Sequence, residues 1–367
     1  MSDNLFDRLF ELLNSPGAVN WKLGKEITQS LAGATEPIEP KIAEEYQELT
    51  LAAQLRLADR LSLDVSTTQT IHPVDRHAWA EHNEQSFRYL IEPLADKLSQ
   101  GGGLAAMASP FLAPMTPAIL GIQAGTMIGF MSHRVLGQFD TGLPALDHDS
   151  LSLVVPNVEG FARDHNIESH QIRMWAVLRE VTNHAILNVE WVRGFFIDAV
   201  SAFYETVEFD LSGLMDMIGG LQDPSSMTDP AALEGLVDEP GGLAKMLGSS
   251  HDAEALKPIQ AFIAFIEGFG DYAVRTAAAD LIPQLGEIES AVQLRRSEPN
   301  EAEQFLQQLL GLRVDRHLGS EAASFCTDIE RRWGADTLQR LWEQPEKLPR
   351  LEELSDPVGW AARVLLD

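Results

Sequence analysis

The segment Leu178-Arg-Glu-Val-Thr-Asn-His-Ala-Ile-Leu187 carries the residues whose types and spacing bear most directly on chemistry. Its frame is that of H-E-x-x-H, in which two histidines four apart share one helix face and bind zinc while the glutamate activates the metal-bound water. Here Arg179 stands at the first histidine place, Glu180 keeps the general-base place and Asn183 stands at the second. A guanidinium is permanently protonated and an amide is a weak donor, so the frame keeps its base position and lacks both nitrogen ligands. His184 does not substitute for them, because five positions from Arg179 is about 140° around a helix. It reads instead as a packed or hydrogen-bonded helix residue. His72, His77 and His82 recur every five residues, as do His165 and His170, which scatters them round the axis; they read as structural or solvated. Gly101-Gly-Gly103 has no following Gly-Lys-Ser/Thr, no G-x-S-x-G occurs, and the lone Cys326 beside Phe325 reads as packing rather than as a nucleophile.

The elements that must position these groups are helical. Glu168 to Ala202 reads as one or two long helices, with Met174, Val177, Leu178, Val181 and Ala185 forming one apolar stripe. Ile42 to Leu63 repeats apolar residues at three and four positions, and Pro73 followed by Asp75 opens a run through Trp79, Phe87, Leu90 and Leu94. Leu151-Ser-Leu-Val-Val-Pro156 is short, partly β-branched and closed by proline, so any sheet is small. Gly219 to Lys257 is rich in Gly, Pro, Asp and Ser and reads as a long, mobile surface excursion with short helices at Ala231 to Leu236 and Leu243 to Leu247. Helix is expected to resume at Pro258 and run to about Leu281, and Glu301 to Leu366 alternates helices with turns marked by Pro and Gly. No internal repeat is present.

Charge and composition exclude several classes of function. With 55 acidic against 27 basic side chains among 367 residues, the formal charge of −28 repels phosphate backbones, so nucleic acid is not expected as a partner. One cysteine permits no internal disulfide and no Cys-based zinc cluster. Asp3, Asp7, Arg8 and Glu11 lie where a signal peptide would need an apolar stretch, so a cytoplasmic protein is expected. Leu98 to Ser132 contains no Asp, Glu, Lys or Arg and is long enough to span a bilayer, but Pro110, Pro114, Pro117 and the glycine run break it. Gly121, Gly125 and Gly129, four apart, equally suit close packing of soluble helices, and a membrane span is not expected.

Further runs give the Glu180 segment a context. Val74-Asp-Arg-His-Ala-Trp79 with Asn83 and Phe87, then Val135-Leu-Gly-Gln-Phe-Asp140, then Val154-Val-Pro-Asn157, flank it on the N-terminal side. Trp175, Trp191, Leu310-Gly-Leu312, Leu348-Pro349, Asp356-Pro357, Trp360 and Arg363-Val364 complete the set. In this order, over roughly Ile71 to Leu366, the sequence resembles a predominantly actinobacterial family of zincin-like metallopeptidases. That family was first catalogued as uncharacterised hydrolases and includes members associated with deazaflavin-coenzyme biosynthesis.

The resemblance implies a mainly α fold with a small β-sheet, of the gluzincin type. It divides the chain into an N-terminal helical region over 1–70 and a zincin-like domain over 71–367 that contains the excursion at 219–257. It also implies two helix histidines, a catalytic glutamate and a third zinc ligand from a downstream E-x-x-x-D pattern. Glu267-Gly-Phe-Gly-Asp271 looks like that pattern, with Glu267 at the ligand position and Asp271 supporting it; residues four apart share a helix side. The departures at Arg179 and Asn183 decide the expectation: zinc, the family's metal, is not expected here, and no other cofactor is. The expected protein is a catalytically impaired homologue that binds another protein or a peptide. The alternative is an active zinc-dependent hydrolase with an atypical metal site. Loss of the cation would leave Glu180, Glu267 and Asp271 without counter-charge, so Arg179 is expected to pair with Glu267 or Asp271 across two helices packed side by side.

Overall fold

The computed structural model describes residues 17–61, 63–65, 71–84, 86–100, 115–140, 151–207, 253–298 and 316–366. The chain opens with α1 (Trp21–Ala32), where the Asn20 side chain accepts from the Leu23 amide at 3.0 Å, and α2 (Pro40–Arg60), which places proline where no helical N–H is needed. There follow β1 (Ile71–Val74), α3 (Arg76–Asn83), α4 (Arg88–Gln100), α5 (Met115–Ser132), β2 (Leu151–Val154), α6 (Val155–Asp164), α7 (Ser169–Leu187) and α8 (Val192–Thr206). The last part contains α9 (Ala253–Ala278), α10 (Leu285–Ser297), α11 (Arg316–Trp333), three short 3-10 segments and α12 (Pro357–Leu365).

The sheet is small, as the sequence suggests, and parallel: Ile71 lies opposite Leu151 and Val74 opposite Val154. Pro73 belongs to β1 and does not open a helix; Asp75 does, its carboxylate accepting from the Ala78 amide at 2.7 Å. On the opposite edge of β2 the chain at Leu136–Gln138 runs antiparallel, with the Val154 amide donating to the Leu136 carbonyl at 2.8 Å and the Gln138 amide to the Ser152 carbonyl at 2.9 Å. The run from Pro73 to Leu94 is two helices, α3 and α4, not one.

Around the sheet the core is helical. In α7 every residue from Met174 to Leu187 is buried, and α7 packs against α2, α6, α9 and β2. Helices before residue 71 share this core: α2 lies on α7 and β1, and α1 lies on α5. The α1–α5 contact explains the glycines of the uncharged segment. A Cβ on Gly125 would come 2.2 Å from the Gly24 carbonyl oxygen, and one on Gly121 would come 2.2 Å from that of Asn20. Backbones meet there directly, and Thr28 Oγ1 donates to the Gly125 carbonyl at 3.1 Å. Among the described residues no helix is long and apolar enough to cross a membrane.

Helix α9 starts at Ala253, five residues before the expected start at Pro258, and ends at Ala278 rather than near Leu281. Pro258 lies inside it, beyond the first turn, so the helix passes through that position without one of its i→i−4 hydrogen bonds. Residues 253–257 are therefore helical rather than part of the surface excursion. The rest of the excursion, with the helices expected at Ala231 to Leu236 and Leu243 to Leu247, lies outside the described residues.

Candidate functional site

Arg179, Glu180 and Asn183 all project from the middle of α7, and each is at most 5% exposed. Helix α9 runs alongside, with Gly270 facing Asn183 and Arg179: a Cβ there would make ordinary contact, 3.4 Å from Asn183 Oδ1 and 3.5 Å from Arg179 Nη1. One residue further on, Asp271 Oδ1 receives the Arg179 Nη1 donor in an ion pair. The other face of the guanidinium lies over the Trp175 ring, 5.2 Å from its centroid. Arg179 is thus held between a carboxylate and an aromatic ring.

Glu267 does not meet Arg179. Its Oε1 is 2.6 Å from Nε of Arg296, at the C-terminal end of α10, and Arg296 also donates to Asp271 Oδ2 at 2.7 Å and to Asp271 Oδ1 at 3.2 Å. Two guanidiniums and two carboxylates therefore form one network joining α7, α9 and α10. Burial alone would raise the Asp271 pKa, but Arg179 and Arg296 outweigh it and hold that carboxyl below its usual range. Arg296 is correspondingly driven further into its charged form by Glu267 and Asp271, against the opposing effect of burial.

Glu180 turns to the other side and is covered. The Phe139 amide donates to its Oε1 at 3.2 Å and Oε2 at 3.1 Å, and Gly137 lies so close that a Cβ there would fall 2.3 Å from Oε1. Three residues along α7, the Asn183 Nδ2 donor reaches the Phe139 carbonyl at 3.4 Å, so one residue of the 137–140 segment engages both helix positions. That segment is secured in turn: Asp140 Oδ2 accepts from the Leu136 amide and from Arg295 Nη2, each at 2.9 Å. Arg134 Nη2 donates to the Arg295 carbonyl at 2.6 Å, and Arg295 returns a hydrogen bond to the Arg134 carbonyl. Burial pushes the Glu180 pKa well up, with a further push from Asp140, against the Phe139 amide, Arg179 and the Gln138 amide. For Asp140, burial also acts upward, yet Arg295, Arg179 and the Leu136 amide bring its pKa below the ordinary value.

The donors do not fit a zinc ion. Arg179 offers no lone pair, Asn183 offers an amide oxygen, and the reachable oxygen of Glu267 is committed to Arg296. Among the described residues there is no group of three or more His, Cys, Asp or Glu side chains disposed to hold a metal. His184 is buried, its ring centroid 6.0 Å from that of Phe139 and its ring nitrogens beside Asn188 Nδ2. Sequence reasoning missed Arg296, and it assigned no covering role to Gly137 and Phe139. Arg296 resembles any basic residue at a helix end, and Val135 to Asp140 carried a resemblance but no chemical role. A cavity of about 340 Å³ borders the network on its outer side, lined among others by Trp175, Asp271, Arg275, Glu289, Gln293 and Arg296.

A buried helix carrying a glutamate in the H-E-x-x-H frame, packed beside a helix carrying E-x-x-x-D, defines a zincin-related architecture. The chain belongs to the zincin-like metallopeptidase family, whose model matches residues 19–361. The match begins before the expected boundary at residue 71 and takes in α1 and α2. The fold is similar to that of a crystal structure from Chloroflexus aurantiacus, described as a candidate hydrolase with a novel fold, at TM-score 0.68 and 20% identity. The alignment covers 95% of this chain and 99% of that one. No curated protein matches the sequence.

Proposed function

We propose that this chain is a non-catalytic member of its metallopeptidase-related family, and that it acts by binding another protein or a peptide. The observation that carries the reading is the Arg179–Asp271 ion pair, in which a buried cation takes the first ligand's position. A peptidase of this kind needs an ion to polarise the carbonyl and acidify water, and a base that reaches that water. Glu180 is instead engaged by the Phe139 amide and closely covered by Gly137. Binding falls then to the outer surface, where the cavity beside Trp175 and Arg275 is large enough for a side chain of a peptide. Elemental analysis of the purified protein, with a peptidase assay with and without a chelator, tests the reading. Well below one zinc per chain and no chelator-sensitive cleavage are expected; stoichiometric zinc with chelator-sensitive cleavage would favour the active alternative.

A further inference from the structure

The following rests on the non-catalytic reading and names what took the ion's place. We infer that Arg296 is the second half of a two-guanidinium substitute for a divalent cation, and that Arg296 is what withholds Glu267 from any metal. Glu267 and Asp271 lie one turn apart on α9, so without positive charge between them two carboxylates would face the same space. Arg179 answers only Asp271. Arg296 answers both, through Nε to Glu267 and through its two terminal nitrogens to Asp271. Two fixed guanidiniums thus bring the charge that one divalent ion would bring, and their planar forks suit carboxylates in pairs.

The way Arg296 is delivered strengthens the assignment. Successive residues on a helix point about 100° apart, so Arg295 and Arg296 reach different neighbours from the last turn of α10. Arg295 holds Asp140 at 2.9 Å, on the segment that covers Glu180, while Arg296 holds the acids of α9. One helix end therefore closes the former centre from both sides of α7. Restoring imidazoles at 179 and 183 would leave this cation within hydrogen-bonding distance of the third ligand, and an incoming ion would have to displace it.

The experiment compares zinc binding by calorimetric titration in the unaltered protein, in R179H/N183H and in R179H/N183H/R296Q. The triple variant should bind one zinc at least about tenfold more tightly than the double, a change of the size seen when groups surrounding a metal site are altered. If the triple variant is unfolded without metal, circular dichroism along the same zinc series gives the answer: zinc-dependent refolding supports the inference, and a chain that stays unfolded in excess zinc overturns it. Equal affinity of the double and triple variants overturns it, as does a folded triple variant that binds no zinc. Stoichiometric zinc in the unaltered protein defeats the non-catalytic reading itself, whereas equal affinities with a zinc-free parent defeat only the role of Arg296.

Discussion

Arg179 and Asp271 meet across the α7–α9 interface, the arginine 6% and the aspartate 14% exposed in their side chains. Removing one partner of such a pair leaves the other desolvated without its counter-charge, and the cost exceeds the net worth of the pair. Arg179→Ala should therefore lower stability by about 3–5 kcal/mol in a urea titration. Lys257→Ala, which removes an ion pair between exposed side chains, should leave the midpoint unchanged. An Arg179→Ala protein as stable as the parent would mean that Arg296 alone suffices for Asp271.

The acid limb of the stability curve follows from Asp271 and Asp140, whose carboxyls are held below the usual range by Arg179, Arg296 and Arg295 despite burial. A depressed folded pKa contributes stability that is present above the unfolded value, about 3.9, and is lost as pH falls through the folded value. Asp271→Asn should be less stable than the parent at pH 7, and the two should converge as pH drops from about 4 toward 2. A gap that stays constant over that range would show that Asp271 contributes through packing and not through charge.

Two close approaches set the backbone positions around the site and the α1–α5 contact. A Cβ on Gly137 would fall 2.3 Å from Glu180 Oε1, and one on Gly125 2.2 Å from a backbone oxygen that cannot rotate away. Gly137→Ala and Gly125→Ala should each cost about 1–3 kcal/mol, with the larger loss at Gly125, where two helices must separate. Gly286, near the start of α10, has open space where its Cβ would go, so Gly286→Ala should be neutral or stabilising by up to about 1 kcal/mol. Thermal midpoints of the three variants decide it, and a stable Gly125→Ala protein would refute the direct backbone contact.

What the sequence made legible was whatever depended on local period and on charge at a fixed helical spacing. The stripe from Met174 to Ala185 marked α7, whereas the pairing of Arg179 with Glu267 or Asp271 was legible only through the family resemblance, and the structure realises it with Asp271. The strand β1 was hidden because His72 and Pro73 interrupt any alternation, and its pairing with β2 is a tertiary fact. Arg296 was hidden for the same reason. It lies 25 residues from Asp271 on another helix, and basic residues at a helix end are common for reasons of the helix dipole alone. The fate of Glu180 depended on how closely residues 137–139 approach α7, which no property of the α7 sequence encodes.

Glu180 yields a pH dependence of opposite sign. It is buried at 3% exposure, its pKa is driven well up first by burial and then by Asp140, and Arg179 and the amides of Phe139 and Gln138 only partly oppose this. An acid whose folded pKa is raised contributes fully below its unfolded value, about 4.3, and that contribution declines as pH climbs toward the folded value. The parent should therefore lose stability through this group as pH rises above the unfolded value, until Glu180 ionises. Glu180→Gln keeps the shape and an oxygen to accept from Phe139 but cannot ionise, so that decline should vanish. The difference in stability between the Gln variant and the parent should be small near pH 4 and should grow in favour of the variant toward pH 7. Chemical denaturation at pH 4, 5, 6 and 7 measures it directly. A difference independent of pH, or one that turns against the variant as pH rises, would mean that Glu180 is ionised in the folded protein and stabilised by the 137–140 segment as an anion.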